Sequence, residues 1–444
     1  MMQVVDYTTA SGRDHVGSLL ASLRLCPSAL AFGEGELAQQ SAVVREVMQN
    51  VARSGDAALV EVARKYDDPA FESGHIRIDP EEIAAAHART APELLAAIRR
   101  SIMQVRQYQQ HIMPPAELPA LTRQGLSLSL RFTPLDSVGL YVPGGKAAYP
   151  SSLIMLAVPA QVAGVKRIAV CTPPSKFGRS DLLLAAAHEL GLTELYRIGG
   201  AAAIAALAFG TSIVAPVDKI TGPGNNYVQL AKRLVSGAVG IDGFAGPSEI
   251  LTLADDTADP DIIAADLLAQ AEHDPGSCFL LSTSKQLIDA VAAAVAHQLS
   301  ALTRADAIKR ALAGLSAAIY HPSMHELVEL ASAFAAEHVN IQARDADALA
   351  RKLRHAGAVF IGSMSAVAAG DYVAGPSHCL PTNTTAKFAS GCSVFEFLKR
   401  SSLVKYDAAS LATDASAIVQ LAAAEHLDAH AASITIRQEK SRTV

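Results

Sequence analysis

The chain has 444 residues, half of them hydrophobic, no tryptophan, and a net charge of −6 with both signs mixed along it. That length exceeds one compact core and implies two or more domains. No basic stripe argues for nucleic acid, and no apolar run reaches the ~18 residues of a membrane span. The start, MMQVVDYTTA, lacks the charged-then-apolar pattern of an export signal. Five cysteines (26, 171, 278, 379 and 392) are odd in number, with no Cys-x-x-Cys, and read as reduced thiols of a cytoplasmic protein.

Residues 1–35 read as a short mixed arm. Residues 40–66 have helical periodicity broken at Ser54-Gly55, and Asp79-Pro80-Glu81-Glu82 opens one or two helices over 80–111. Met113-Pro114-Pro115 ends this region, and LSLSLRFTPL at 126–135 reads as a hairpin segment. From Ser137 apolar strands alternate with helices as far as about residue 245, the pattern of a Rossmann-like parallel sheet. Strand ends carry glycines at Gly144-Gly145, Gly199-Gly200 and Gly222-Pro223-Gly224-Asn225. Glycines there let phosphates approach backbone N–H groups, or merely close tight βα turns; no G-x-G-x-x-G decides between the two. A second α/β set begins at AGPSEILTLAD (245–255) and runs through the strands CFLLSTS and GAVFIG. SVFEFLKRSS and 409–431 read as a pair of C-terminal helices.

The fold class is therefore α/β: two Rossmann-like parallel-sheet domains, one inserted in the other, plus a small N-terminal arm and a C-terminal helical segment. The expected boundaries are 1–35 for the arm, 36–136 with 247–392 for a discontinuous domain, 137–246 for the inserted domain, and 393–444 for the C-terminal segment.

Four stretches carry residue types suited to chemistry. In ADLLAQAEHDPGS (265–277), Gln270 and His273 are three apart and share a face at a helix's last turn. An amide oxygen and an imidazole converging there could hold a metal ion, although such a pair is more often solvated. Glu337-His338, at a helix-to-strand junction, offers an adjacent acid and base for separate proton transfers. Asp371 and His378 lie in GDYVAGPSHCLPT, a loop fixed by glycines and prolines, which reads equally as a site or as an Asx-turn with an exposed His. Near the C-terminus, His426 and His430 have the spacing of helical zinc ligands, whereas Glu425 and His430 fall about 140° apart on a helix. Cys379 reads as a packed thiol.

The blocks GLYVPGG, IGGA, KITGPGN, AGPSE, DLLAQAEHDP, EHVNIQ, GDYVAGPSH–LPT, SVFEFLKR and AEHLDAHA occur in this order. In them the chain resembles the histidinol dehydrogenase family over nearly its full length. The resemblance implies one zinc per subunit, held by Gln270, His273, Asp371 and His430. It implies Glu337 and His338 as the catalytic acid–base pair. Substrate contacts would come from Ser248, Gln270, His273, His338, Asp371, His378, Glu425 and His430, and NAD contacts from Tyr141 and Asn225. On this reading 137–246 binds NAD and the discontinuous domain carries the metal. A homodimer exchanges its C-terminal segments, so that Glu425 and His430 enter the partner's site and His426 is a bystander.

The implied reaction is the final step of histidine biosynthesis: zinc-dependent, four-electron NAD oxidation of L-histidinol to L-histidine through histidinaldehyde. The alternative within the superfamily is a zinc- and NAD-dependent dehydrogenase of another small primary alcohol, such as a sulfonated diol. A metal-dependent hydrolase or lyase that keeps the zinc but not the redox step is disfavoured by Tyr141, Asn225 and the glycine turns. Two departures from the family stand out: Ala202 in GGAAAI, where Gln is usual, and Asn383-Thr384 after the GPSHCLPT block, where Gly-Gly is common.

Overall fold

The computed structural model describes residues 2–144, 147–244, 246–273 and 275–441; Gly145 of the first glycine turn lies outside them. Two parallel sheets are present, as the alternating pattern predicts. One has six strands in the order Gln3–Asp6, Ala317–Tyr320, Gly276–Ser282, Ser248–Ala254, His338–Gln342 and Ala358–Ile361, every neighbouring pair parallel. The other has five: Leu195–Arg197, Arg167–Thr172, Ser137–Tyr141, Lys219–Thr221 and Gly240–Ile241, again all parallel.

The central strands of the first sheet are buried along almost their whole length because helices cover both faces. Alternate residues divide between two cores. Leu251, Leu253, Phe279 and Leu281 pack with Leu327 and Phe334 of the helix Met324–Phe334. Ile250, Cys278 and Leu280 pack with Ile263 and Leu267 of the helix Pro260–Ala271, hereafter the site helix. The period of two along each strand thus places that helix on a defined face.

The hairpin expected near 126–135 is Leu121–Arg123 paired with Leu126–Pro134. Its two-residue turn, Gln124-Gly125, has both φ angles positive (45° and 85°), as a type I′ turn requires. The third strand of this antiparallel sheet is Leu398–Lys405. This is a correction to the first of the expected C-terminal helices. Eight residues from Leu398 to Lys405 pair with Ser127–Pro134, and only Val394–Phe397 make a short 3-10 turn. The C-terminal helix pair is Ala408–Ala424 and Asp428–Ser441.

The packing also differs from the expected partition at two places. Residues 1–35 are more than an arm: Gln3–Asp6 form an edge strand of the six-stranded sheet, and Val16, Leu19 and Leu23 join its core. The helices within 36–112 pack against the five-stranded sheet, not the six-stranded one. Val44, Met48 and Leu59 sit with Ile204 and Ile220, and Ile83, Ile98 and Val105 sit in the same core as Leu153 and Leu183. Segment order alone could not reveal which sheet receives an amphipathic helix.

One stretch, Ala10–Phe32, is long and apolar enough to cross a membrane by length and composition, which the count of uninterrupted apolar residues passed over. In the fold it is two helices, Ala10–Leu23 and Pro27–Phe32, the first packed on the sheet through Val16, Leu19 and Leu23.

Candidate active site

The carboxyl ends of the five-stranded sheet and the amino ends of the six-stranded sheet face one cleft of about 2410 Å³. From the first side come Tyr141, which ends its strand, and the turn Gly222–Asn225; from the second come Ser248 and His338, each the first residue of its strand. Nucleotides bind at carboxyl ends of parallel strands, so the two halves of the cleft offer different chemistry.

His338 is buried, and its Nδ1 donates to the Glu249 carbonyl at 3.1 Å. That bond fixes the tautomer and leaves the Nε2 lone pair free, 4.0 Å from Asp371 Oδ1. Burial pushes the imidazole below its usual pKa, which Asp371 and the Glu249 bond only partly offset, so the ring is a neutral base at pH 7. Glu337 Oε2 accepts from Ser248 Oγ at 2.5 Å and from the Glu249 N–H at 2.9 Å, and lies 3.6 Å from His338 Nδ1. Burial outweighs those bonds and lifts its carboxyl to about 8. A carboxyl at that value can hold or release a proton near neutrality.

Gln270 closes the next link, its Nε2 donating to Ser248 Oγ at 2.6 Å. His273 lies in the turn just past the end of the site helix that carries Gln270, with His273 N–H on the Gln270 carbonyl at 3.2 Å. Burial lowers the His273 pKa, and both Asp371 and His338 act on it electrostatically. In the GDYVAGPSHCLPT loop, His378 Nδ1 donates to the Asp371 carbonyl at 2.8 Å and its Nε2 accepts from Ser152 Oγ at 3.0 Å. Ser248, Gln270, His273, Glu337, His338, Asp371 and His378 thus form one cluster, in which Gln270 joins through its bond to Ser248.

Four residues stand apart from that cluster. Tyr141 is buried at the cleft wall, where its hydroxyl accepts from Gly200 N–H at 3.2 Å and burial lifts its pKa to about 12. Asn225 spends its side-chain oxygen capping the helix Asn226–Val235, on the N–H groups of Tyr227 and Val228. Glu425 ends the helix Ala408–Ala424 and His430 lies in Asp428–Ser441; both are exposed, and neither lines the cleft of its own chain. The two helices pack chiefly on each other.

Sequence reasoning missed Ser152, in the first turn of the helix Pro150–Ala163 and 226 residues before its partner His378. It also missed Glu249, although that residue adjoins Ser248. Glu249 serves both Glu337 and His338 through its main chain, and its side chain accepts from the Asn383 N–H at 2.8 Å.

Asp266, four residues before Gln270, accepts from Asn340 Nδ2 at 2.8 Å; Asn340 lies two residues after His338. This bond registers the site helix against the strand that carries His338. Burial raises the Asp266 carboxyl from 3.8 to about 6. A carboxyl whose folded pKa exceeds its unfolded value holds its proton more tightly in the native state, so its ionisation lowers stability as pH rises. Melting temperatures of the wild type should therefore fall relative to Asp266→Asn between about pH 4 and pH 6, and the gap should level off above that window. Parallel curves would mean that the carboxyl is already ionised at pH 4.

A second group of metal-ligand types occurs at His87, His188 and Glu189, whose candidate ligand atoms lie within 4.8 Å of one another. Arg99 occupies both oxygens of Glu189 and His87 Nε2 donates to one of them at 2.6 Å. The group is an ion-pair network between helices, with no lone pairs converging on a cation.

The histidinol dehydrogenase family model matches residues 33–438. The histidinol dehydrogenase of Geobacillus kaustophilus is 48% identical over 405 residues, spanning 90% of this chain and 95% of the relative. The Synechococcus enzyme of the same name is 47% identical over 402 residues, with 90% and 92% covered. The chain belongs to the histidinol dehydrogenase family. It is an oxidoreductase of histidine biosynthesis. The crystal structure of histidinol dehydrogenase from Elizabethkingia anophelis superposes with a TM-score of 0.92 at 32% identity, covering 99% of both chains.

Against the family pattern, Ala202 is buried in the apolar core beneath the cleft and provides no hydrogen-bonding side chain there. Asn383 and Thr384 adopt positive φ (55° and 63°), the region that glycine enters freely. Asn383 offsets that strain with added bonds: its Nδ2 donates to the Leu23 carbonyl at 2.9 Å, and its Oδ1 accepts from Thr382 Oγ1 at 3.0 Å. The departure ties the site loop to the N-terminal helix.

Proposed function

We propose that the chain oxidises L-histidinol to L-histidine through histidinaldehyde, passing two hydrides in turn to two NAD molecules. The observation that carries this reading is the juxtaposition of a neutral, tautomer-fixed His338 with Glu337, a carboxyl poised at about 8, in one cleft. His338 Nε2 takes the alcohol proton as hydride leaves the carbinol carbon for the nicotinamide. Glu337, in its ionised form, then takes a proton from the water that adds to the aldehyde, while His338 gives the proton it holds to the carbonyl oxygen, so that the hydrate forms and His338 is neutral again. His338 removes a second hydroxyl proton as the hydrate loses its hydride, which leaves the carboxyl group of histidine.

The residues present fit a zinc ion. Gln270 has spent its amide nitrogen on Ser248, which leaves its oxygen as the donor. Burial keeps the His273 imidazole neutral, and Asp371 acts on it from close by. Gln270, His273 and Asp371 would hold zinc with His430 of the partner subunit, a mixed N/O set that zinc accepts. Bound there, zinc would supply a template for the imidazole and amino nitrogens of the substrate. Ser248, His378 and Glu425 would complete the substrate contacts. Tyr141 would line the NAD side of the cleft, and Asn225 would offer NAD its amide nitrogen.

A homodimer fits the C-terminal helix pair, which leaves Leu421, Ile436 and the neighbouring strand residue Val404 exposed on one chain. All five cysteines are free, which suits the cytoplasm. The test is stoichiometric. With zinc and excess NAD, each histidinol should yield about two NADH with histidine as product. One NADH with aldehyde released, or turnover of a sulfonated diol in preference to histidinol, would reject the assignment.

A further inference from the structure

We infer that Lys232 and Asp242 are positioning residues for the cofactor, acting together as a clamp on Gly222. The strand Lys219–Thr221 is paired on one side only to Thr221 and on the other only to Ile220. Gly222 therefore leaves the sheet with both backbone groups in need of partners inside the protein. Asp242, just past the strand Gly240–Ile241, accepts from the Gly222 N–H through Oδ2 at 2.7 Å. Lys232, from the helix Asn226–Val235, donates from Nζ to the Gly222 carbonyl at 3.1 Å and forms an ion pair with Asp242 Oδ1. Two side chains thus continue what the ladder no longer supplies.

The clamp is specific to one conformation. Gly222 has φ +126°, and a Cβ there would stand 2.1 Å from the Tyr141 carbonyl oxygen. The turn that follows is fixed at its next points as well: Gln229 Nε2 donates to the Gly224 carbonyl at 3.2 Å, and Asn225 caps the helix that carries Lys232. Lys232 is only 1% exposed, and a buried ammonium is retained at a desolvation cost that an apolar residue would avoid. The return is a rigid Gly222–Asn225 turn on the wall of the cleft where the cofactor is proposed to lie. Both side chains bond to Gly222 and to each other, so the clamp acts on the turn and through it on cofactor affinity.

The inference rests on the NAD reading, and the test separates the two. NAD is titrated calorimetrically into the zinc-loaded enzyme and into Lys232→Met and Asp242→Asn, with folding checked by circular dichroism. Asp242→Asn is isosteric, keeps an acceptor for the Gly222 N–H and removes only the charge. The NAD Kd should rise about tenfold or more in Lys232→Met and several-fold in Asp242→Asn. Zinc content, and KM for histidinol at saturating NAD, should stay within about twofold. An unchanged NAD Kd in the folded variants overturns the clamp alone, as does an equal loss of histidinol and NAD affinity. Absence of NAD binding by the unmodified enzyme overturns the cofactor assignment and the clamp with it.

Discussion

Replacing Glu337 with Gln should stall the reaction at its midpoint. The amide keeps the size of the carboxyl and an oxygen that can accept from Ser248 and the Glu249 N–H, but it cannot take a proton from water. Oxidation of histidinaldehyde should fall about 10²–10⁴-fold, and oxidation of the alcohol by clearly less. The yield should drop from two NADH per histidinol toward one, with the aldehyde captured by a carbonyl trap. Equal loss in both half-reactions would remove Glu337 from the hydration step. The pH dependence has a definite sign. With the carboxyl at about 8, most molecules carry it protonated at pH 7, so the aldehyde step should quicken as pH rises through about 8 and level roughly one unit above that. Glu337→Gln should abolish that rise.

Mixing two inactive proteins, His338→Ala and His430→Ala, should restore activity. If each site takes His430 from the neighbouring subunit, a mixed dimer holds one site with both lesions and one with neither. Random re-pairing at equal amounts should then recover about a quarter of the wild-type rate, because half the dimers are mixed. No recovery in dimers proven mixed by mass would place His430 outside the site. The geometry motivating the experiment is simple. His430 is exposed on a helix that does not line its own cleft, while Gln270, His273 and Asp371 lie in or beside that cleft.

What the sequence revealed of this site follows from the range of the interactions. Gln270 and His273 were legible because their spacing puts them in one turn, and Glu337-His338 because they are adjacent. The Asp371–His378 loop announced itself through its glycines and prolines. Ser152, Lys232 and Asp242 were not legible: each acts through a partner or turn whose approach is set by the tertiary fold, and a lone Ser or Lys in an amphipathic helix carries no local mark. The same limit explains the fold differences. Gln3–Asp6 is too short for periodicity to mark it as a strand, yet it pairs along its whole length with Ala317–Tyr320. Leu398–Lys405 follows an aromatic, helix-like run, and its strand state is imposed by Leu126–Pro134 beside it. Local propensity yields to such pairing.

The groups at position 249 that steer Glu337 and His338 belong to the peptide backbone. Replacing the Glu249 side chain would not delete either one. An alanine scan would therefore be blind to them, and every substitution at this codon except proline would keep both backbone groups. Only a change in the amide linkage itself, such as an ester or a proline in place of the N–H, would expose how much of the turnover depends on it.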